Sequence, residues 1–577
     1  MDKIPSSEPS GIEPCSGPKD EPYSDLWTCR IVLAAIVAVA IAFRLLFFIG
    51  YVGADPHDDA IYINTINSMV QGSYSLAPIR NIIAENKFDP AHIFQLRMSF
   101  LVPVKYLVAS FGRNDFGFIL FPFLCSIFGV ILAYFFVSLF GGDRELGLIA
   151  AFLLAVYPLD CAFATKISPD VPLGLLVGLT VFCFARGEIQ LRGNGSSKKA
   201  GLWFFLSGVF FSLSHGMKVL GVVLPSFFLL YFLIYRRFRL QHLFVILGFI
   251  PFFALLSYYY YANSGDPFLQ NTLLSKAQVF NVNALWALPH LKKYNIGFLE
   301  IVGFYGGLFE YTQYTFAFKP YSRGVVHYFS IYYHLMLFGA IAWALYVRKR
   351  FTPDANRIMA ILLIWAAAGY ITLEFAPVSI GEIFANKRYC LFPKPPRLQA
   401  YLSIPVVCIG ALCFSRLRRY RKIMLTGLFL VAGISAYSLH TIQNYYHDGL
   451  KDINDAAAYI QAHPDQRYYT DYLANGYLKY RLNYNPLFKI EDVNNLRSEA
   501  ELGDGMLILG GARGVEINGD AALDIIPPWA KQQYFGLREN HLVCIQTYRN
   551  PLPYSDTRYR KYDMKILAVA GEKTSNP

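Results

Sequence analysis

Long apolar runs recur along this chain, and they constrain its fold more than any other feature. Each run is about 17–25 residues long, which is the length that an α-helix needs to cross the hydrocarbon core of a bilayer. The 577 residues are 55% hydrophobic and only 16% charged, whereas soluble domains average about 25% charged residues. The sequence therefore predicts a polytopic α-helical membrane protein.

We predict about eleven transmembrane helices from these runs. One further apolar stretch, Phe100 to Gly112, is too short to span and is interrupted by Pro103 and Lys105, so we expect it to form a helix at the membrane surface. The predicted spans lie at roughly 30–50, 115–140, 145–164, 170–186, 200–214, 217–235, 241–262, 327–347, 357–377, 398–415 and 422–441.

Basic residues set the expected orientation. Clusters of Lys and Arg occupy four connections between spans, near Arg186, Arg236, Arg348 and Arg416, and all four fall on one side if each span crosses once. Because cytoplasmic loops are enriched in Lys and Arg, we expect a multi-pass protein of the cell inner (plasma) membrane. Its N-terminus is then cytoplasmic and its C-terminus extracytoplasmic. The same clustering accounts for the net charge of +12, which is therefore no indication of nucleic-acid binding.

Three segments follow from this topology. Residues 1–29, rich in Pro, Ser and acidic residues, are expected to form a disordered cytoplasmic tail. Residues 30–441 form the transmembrane domain, with long external loops at 52–114 and 263–326. Residues 442–577 lack long apolar runs, and their helical pattern and short apolar strands predict a small extracytoplasmic α/β domain.

An acidic cluster opens the first external loop. Asp55, Asp58 and Asp59 lie within five residues, beside His57. One carboxylate is enough to cap the helix expected from about residue 60. Crowded carboxylates at a low-dielectric surface also gain proton affinity, which suits a general base. A divalent metal held by His57, Asp58 and Asp59 is a third interpretation, and no ligand spacing selects it.

A second acid and several cations are expected at the same depth. Asp170 follows Pro169 at the outer mouth of the fourth span, where it either caps a helix or faces the same cavity as Asp58. Cations bind a phosphate and a carboxylate takes a proton, so this mixture fits a phosphate-bearing lipid substrate. Attraction to anionic lipid headgroups is the alternative explanation. The cations are Lys166, Lys218, Lys387, Arg388, Lys394 and Arg397.

Arg44 is different, because it lies within the first span. A charge there either snorkels to the outer surface or pairs with an acid inside the helix bundle. We expect the structural ion pair.

Several segments, taken in their order along the chain, resemble a known superfamily. They are HDDAIYINTINSMVQGSY after the first span, LFGGDRELGLIAAFLLAVYPLDCAFATKISPDVPLGLLVGLTVFCFARG, and SGVFFSLSHGMKVLGVVLPSF. Together they resemble the GT-C superfamily of lipid-linked-sugar glycosyltransferases, over about residues 30–240. The most similar branch comprises the protein O-mannosyltransferases, the aminoarabinose (lipid A) transferases and the Rgt-like transferases.

The resemblance implies an activity. Such enzymes move a sugar from a polyprenyl-phosphate donor to a hydroxyl group on the outer face, without a nucleotide sugar. The acceptor is a protein, a lipid such as lipid A, or a glycan, and the expected mechanism is a single displacement with inversion. No cofactor is implied beyond the open question of a divalent metal. A transporter or flippase of a lipid-linked or anionic substrate is the alternative, although no repeat signature supports it.

The resemblance also implies roles for individual residues. Asp58 takes the position of the proton acceptor, with Asp59 as its acidic partner and Asp170 as the second catalytic acid. Where relatives carry a charged residue followed by Pro-Pro or Pro-Leu, this chain has AHIFQLRMSF, and we hypothesise that Arg97 replaces the lost cation. The residues expected to bind the donor phosphate are Lys218, Arg397, Lys166, Arg388 and Arg97.

Overall fold

The computed structural model describes most of the chain. The described residues are 23–49, 58–76, 79, 90–141, 143–192, 197–218, 223–236, 238–276, 330–349, 351–375, 396–415, 417–449, 451–470, 472–509, 542–548 and 564–569.

Almost all of the described residues before residue 450 are helical. Long apolar segments of this kind can satisfy their backbone groups in lipid only as helices or closed barrels. In chain order the α-helices are α1 (Tyr23–Ile49), α2 (Asp58–Val70), α3 (Met98–Phe111), α4 (Asp115–Gly141), α5 (Arg144–Ala155), α6 (Pro158–Ala164), α7 (Asp170–Gln190), α8 (Ser197–Met217), α9 (Val223–Tyr235), α10 (Leu243–Ser264), α11 (Ser330–Ala342), α12 (Pro353–Phe375), α13 (Ser403–Gly410) and α14 (Arg421–Gly449).

A helix lies at each of the predicted spans. In the described part of the chain, 7 helices are long and apolar enough to cross a membrane, or up to 8 if a bent pair counts as one span. Three others are apolar but shorter, at Val223–Tyr235, Ile331–Val347 and Gln399–Phe414. The polytopic helical fold is confirmed, while these three fall below the length that we expected. The short helix predicted at residues 100–112 is also present, as α3.

The predicted span at 145–164 differs from our expectation, because it is not one helix. It consists of α5 and α6, which are bent by 57° relative to each other. The break coincides with Pro158, the first residue of α6. Proline lacks an N–H group and disfavours helical geometry in the residue before it, and Tyr157 is accordingly extended.

Two glycines bring α8 and α10 into close contact. A Cβ on Gly208 would lie 2.0 Å from the carbonyl oxygen of Val245, and a Cβ on Gly248 would lie 2.0 Å from that of Phe205. Small residues at helix interfaces allow backbones to approach in this way. The helix that ends just before Lys218 is thereby held rigidly against its neighbour.

A five-stranded sheet follows the last long helix. Its elements are α15 (Lys451–Ala462), β1 (Arg467–Thr470), α16 (Tyr472–Arg481), β2 (Lys489–Asp492), β3 (Met506–Leu509), β4 (Leu542–Tyr548) and β5 (Met564–Val569). The strand order is β2-β1-β3-β5-β4, with β1 parallel to β2 and β3, and β5 antiparallel to β3 and β4. The predicted α/β character is confirmed, and β2 is a strand that the sequence did not indicate.

The C-terminal domain docks on α2 and α4. A Cβ on Gly476 in α16 would lie 2.2 Å from the amide nitrogen of Asn64 in α2, so glycine permits this close approach. Tyr480 of α16 also packs edge-on against Phe118 of α4, with ring centroids 5.7 Å apart. The helix that begins with the acidic pair is therefore covered by the C-terminal domain.

Candidate functional site

A buried ion pair joins two of the predicted site residues. Lys218 Nζ lies 2.6 Å from Asp170 Oδ1, and the two side chains are 13% and 1% exposed. Asp170 is the first residue of α7, and Lys218 follows the last residue of α8 directly. The start of α7 thus lies beside the end of α8, and the two paired residues are 48 positions apart in the sequence.

Ser168 completes the surroundings of the Asp170 carboxylate. Its hydroxyl donates a hydrogen bond of 2.6 Å to Asp170 Oδ2. The position that precedes α7 is held by Pro169, whose side chain makes no capping hydrogen bond. This carboxylate therefore binds an ammonium group and a hydroxyl group, and the capping interpretation stays a prediction. Charge-assisted hydrogen bonds of this kind are stronger than neutral ones.

A row of contacts leads from this ion pair to the acidic end of α2. Gly216, two residues before Lys218, lies so close to Ser99 of α3 that a Cβ would be 2.5 Å from its hydroxyl. The next residue, Phe100, packs edge-on against Tyr62 of α2, with centroids 5.1 Å apart. Asp59 lies in the same helix, one turn before Tyr62, and is 3% exposed. The second acid, the lysine and the acidic pair are thus on packed elements of one region.

Two further predicted cations have described side chains. The Arg97 guanidinium lies over the ring of Phe94, 4.3 Å from its centroid, and donates to the Tyr62 hydroxyl. Lys166 is 3% exposed, and its Nζ lies 5.2 Å from the centroid of the Phe163 ring. Arg97 is therefore on the α2 side of the region, and Lys166 is in the turn that leads to Asp170.

The remaining predicted residues fall partly or wholly outside the described residues. Helix α2 begins at Asp58, but the side chains of Asp58 and Arg397 are not described. His57, Lys387, Arg388 and Lys394 lie outside the described residues altogether. Within the described part of the chain, no group of three His, Cys, Asp or Glu side chains is placed to hold a metal ion. The metal prediction and the roles of these residues stay predictions.

Arg44 forms the structural ion pair that we expected. It is fully buried, and its Nη2 lies 2.6 Å from Asp160 Oδ2. Its other nitrogens donate to Ser126 Oγ at 2.6 Å and to the carbonyl oxygens of Ala40 and Ala155 at 2.9 Å. The guanidinium therefore ties α1 to α4, α5 and α6.

A second buried charged cluster was missed by the sequence reasoning. Glu188, near the end of α7, lies 2.6 Å from His242 Nε2 and 2.5 Å from Arg357 Nη2. Arg357 also donates to the Tyr231 hydroxyl. The backbone N–H of Arg239 donates to His242 Nδ1 at 2.9 Å. Nδ1 is then an acceptor, so Nε2 carries the proton and donates to Glu188.

Only one signal in the sequence pointed to this cluster. Glu188 is an acid at the end of an apolar helix, next to the basic connections that we assigned to the cytoplasmic side. The rule that predicts orientation counts only Lys and Arg, so it assigns no role to this acid. Arg357 belongs to the basic cluster near Arg348 that set the expected orientation, whereas the structure buries it to 6% exposure.

The fold is shared with known structures. ArnT from Cupriavidus metallidurans in the apo state aligns with a TM-score of 0.52 and 12% identity, covering 95% of this chain and 100% of ArnT. The oligosaccharyltransferase of Archaeoglobus fulgidus in the apo form aligns with a TM-score of 0.50 and 11% identity, covering 89% of this chain and 73% of that one. At such identities the likeness concerns the fold. No curated protein sequence matches the chain significantly.

A family model matches the part of the chain that holds the ion pair. Residues 91–262 match the family described as dolichyl-phosphate-mannose-protein mannosyltransferase. This match extends from the segment before α3 to the end of α10 and includes Asp170 and Lys218. Over these residues the chain is therefore similar to that family, and over most of its length it shares the fold of ArnT and of the oligosaccharyltransferase.

Proposed function

We propose that this protein is a membrane glycosyltransferase that moves a sugar from a polyprenyl-phosphate donor to an acceptor hydroxyl group. The family described over residues 91–262 takes its name from a polyprenyl-phosphate sugar donor, and the GT-C fold is consistent with this chemistry. The observation that carries the proposal is the buried pair of Asp170 and Lys218, 2.6 Å apart at the start of α7.

The properties of this pair suit a departing phosphate. A lysine ammonium is a compact point charge with three N–H donors, one of which Asp170 accepts. The neighbouring carboxylate keeps the ammonium charged in a low-dielectric region. Negative charge grows on the lipid phosphate as the sugar leaves, and a preorganised cation stabilises that charge in the transition state. In the proposal Lys218 contacts the phosphate, and Asp170 positions Lys218.

Asp58 is the proton acceptor in the proposed reaction. The acceptor oxygen forms a bond to the anomeric carbon, the bond from that carbon to the phosphate oxygen breaks, and its electron pair leaves with the lipid phosphate. The hydroxyl proton passes to the Asp58 carboxylate. A single displacement of this kind inverts the configuration at the anomeric carbon. Asp59 completes the acidic pair in the first turn of α2.

Other cations extend the same site in the proposal. Arg97, Lys166, Arg388 and Arg397 supply further positive charge around the donor phosphate, and membrane lipids surround its polyprenyl chain. The reaction takes place on the extracytoplasmic face of the inner (plasma) membrane, with a cytoplasmic N-terminus. This orientation rests on the basic connections between the helices.

The test measures the release of free polyprenyl phosphate from a set of polyprenyl-phosphate monosaccharides, including mannose. The purified protein is placed in nanodiscs, and the product is quantified by mass spectrometry. A panel of acceptors is supplied. Transfer to any of them, or to water, releases free polyprenyl phosphate, so the readout does not depend on which acceptor is used. Asp58→Asn is expected to lower the rate by about 10²–10⁴-fold, which is the usual contribution of a general base.

Asp354→Asn is the matched control, because Asp354 lies in the first turn of α12, near Arg357 and the opposite end of the bundle. It is expected to keep the wild-type rate. If folded wild-type protein releases no polyprenyl phosphate from any donor but moves a donor across the bilayer, the protein is a flippase and the proposal is wrong. Wild-type turnover by Asp58→Asn would remove Asp58 from the mechanism.

A further inference from the structure

A polar pocket lies between α2 and the C-terminal domain. Its volume is about 530 Å³, and it is lined from α2, from the segment after it and from α16. Five amide side chains contribute to the wall: Asn64, Asn67, Gln71, Gln95 and Asn475. An amide side chain offers both N–H donors and a carbonyl acceptor. Such a wall can therefore bind hydroxyl groups, which also donate and accept.

Two side chains of the pocket wall interact with each other. They are Asn67 and Tyr484, and the Tyr484 hydroxyl lies at the Asn67 amide. The hydroxyl groups of a ligand would bind the other amide side chains of the wall, which offer both donors and acceptors, so the pocket favours a polyhydroxylated occupant.

The charges in the wall argue against an anionic ligand. One lysine, Lys479, and one acid, Asp492, line the pocket. Burial lowers the pKa of Lys479, and the carboxylates of Asp492 and Glu491 act in the opposite direction. A phosphate-binding site would instead carry an excess of cations over carboxylates. The lining is close to electrically balanced, which suits a neutral molecule.

The pocket is close to the acidic start of α2. Asn64 follows Asp58 by six residues in the same helix, which is about 9 Å along the helix axis at 1.5 Å per residue. Gln71 directly follows the C-terminal end of α2 and marks the far side of the pocket. An occupant would thus extend along α2, away from the proposed proton acceptor. The close approach of Gly476 to Asn64 fixes the opposite wall.

We propose that this pocket binds the acceptor and that the acceptor is a neutral glycan, whose hydroxyl groups contact the amide side chains of α2 and α16. That the bound glycan is the acceptor rests on the proposed function. Glycan binding in this pocket does not depend on it. The C-terminal domain therefore contributes directly to substrate recognition, through Asn475.

Binding is tested by saturation-transfer difference NMR on the full-length protein in nanodiscs. The probes are the methyl glycosides of mannose, galactose, glucose and arabinose and their disaccharides. At least one probe is expected to bind. Gln71→Ala and Asn475→Ala are each expected to weaken its binding about tenfold, as expected for about 1.4 kcal/mol of lost hydrogen bonding.

Asn495→Ala is the matched control, because it removes an exposed amide of the same domain that does not line the pocket. It is expected to bind glycosides as the wild type does. The exposed position of Gln71 makes it the safer of the two test variants with respect to folding. Equal binding by wild type and both variants, or binding of Ser- and Thr-containing peptides in place of every glycoside, would overturn the inference.

A further variant separates this inference from the proposed function. Asp58→Asn is expected to retain glycoside binding in the pocket, while its release of polyprenyl phosphate falls by about 10²–10⁴-fold. If glycosides bind in the pocket but no donor is consumed by the wild-type protein, the glycan site stands and the proposed transfer fails. If donors are consumed but the pocket variants bind glycosides normally, the transfer stands and this site is wrong.

Discussion

Helix α7 carries a buried carboxylate at each end, and the two have very different surroundings. Asp170 and Glu188 are 1% and 4% exposed, and their separation of 18 residues corresponds to about 27 Å along a helix. Asp170 contacts Lys218 and the hydroxyl of the neighbouring Ser168. Glu188 contacts His242 and Arg357, and the latter also donates to the Tyr231 hydroxyl of α9.

The difference lies in the geometry of the cations. Arg357 has a planar guanidinium that can bridge two partners at fixed angles, whereas Lys218 presents one compact charge on a flexible stem. The Glu188 cluster joins α7, α9, the segment before α10 and α12, so its contacts serve helix packing. The Lys218 side chain is 13% exposed and can reorient toward a substrate. Equal burial of two acids thus does not mean an equal role.

The largest expected effect comes from replacing both partners of the first pair by neutral side chains. In Asp170→Asn, Lys218→Met both charges of the ion pair are removed together, so the free energy of unfolding should change by about 1 kcal/mol or less. Release of polyprenyl phosphate should fall about 10²–10³-fold, as when a preorganised donor is lost from a transition state. The corresponding change Glu188→Gln, Arg357→Met should leave the rate per folded molecule unchanged. Equal rate losses in the two double variants would show that the Asp170 pair and the Glu188 cluster do not differ in function.

The second prediction concerns stability. Arg357→Ala leaves Glu188 buried with one cation fewer, and breaking a buried ion pair from one side costs about 3–5 kcal/mol. We expect a lower midpoint of thermal unfolding in detergent, with normal turnover by the molecules that remain folded. The additional change Glu188→Gln removes the stranded charge and should recover much of the stability. A double variant no more stable than Arg357→Ala would contradict this account of the cluster.

A smaller effect is expected from exchanging the cations while keeping their charge. Lys218→Arg should fold normally but lower turnover about tenfold, because the wider guanidinium does not place its charge where the ammonium does. Arg357→Lys should lose one of its two contacts and about 1 kcal/mol of stability, with turnover unchanged. Rates and unfolding midpoints of both variants check this. If Lys218→Arg matches the wild-type rate, charge alone determines the function of this position.

The sequence predicted the parts of the fold that depend on local composition. Hydropathy placed a helix at each expected span, and short apolar runs placed β3, β4 and β5. It did not predict β2, because the segment Lys489–Asp492 has a single apolar residue, Ile490, among three charged ones and is only four residues long. The break at Pro158 was missed because hydropathy does not detect a bend. The Glu188 cluster was missed because residues 54 and 169 positions away complete it.

The candidate site was predicted to a different extent. The resemblance suggested both Asp170 and Lys218, but only the structure shows that they form one ion pair. The same is true of Arg97, whose partner Tyr62 lies 35 residues away. Residue types and their order are in the sequence, while the pairing of side chains depends on how helices approach each other. Polar contacts between distant residues are therefore what the sequence could not supply.

The smallest expected effect uses a lysine outside the membrane as a reference for Lys218. Lys479 in α16 is half-buried, and burial lowers its pKa below the ordinary value of 10.5, despite the opposing effect of Asp492 and Glu491. Between the folded and the unfolded pKa the unfolded chain binds more protons, so stability rises with pH in that range. Wild type should therefore gain stability from about pH 7 to about pH 10 relative to Lys479→Met, which lacks the titrating group. The difference between their unfolding midpoints at the two pH values measures this effect. An absent or reversed difference would contradict this account. It would show that Asp492 and Glu491 compensate the burial of Lys479 at least as fully as we expect Asp170 to compensate that of Lys218.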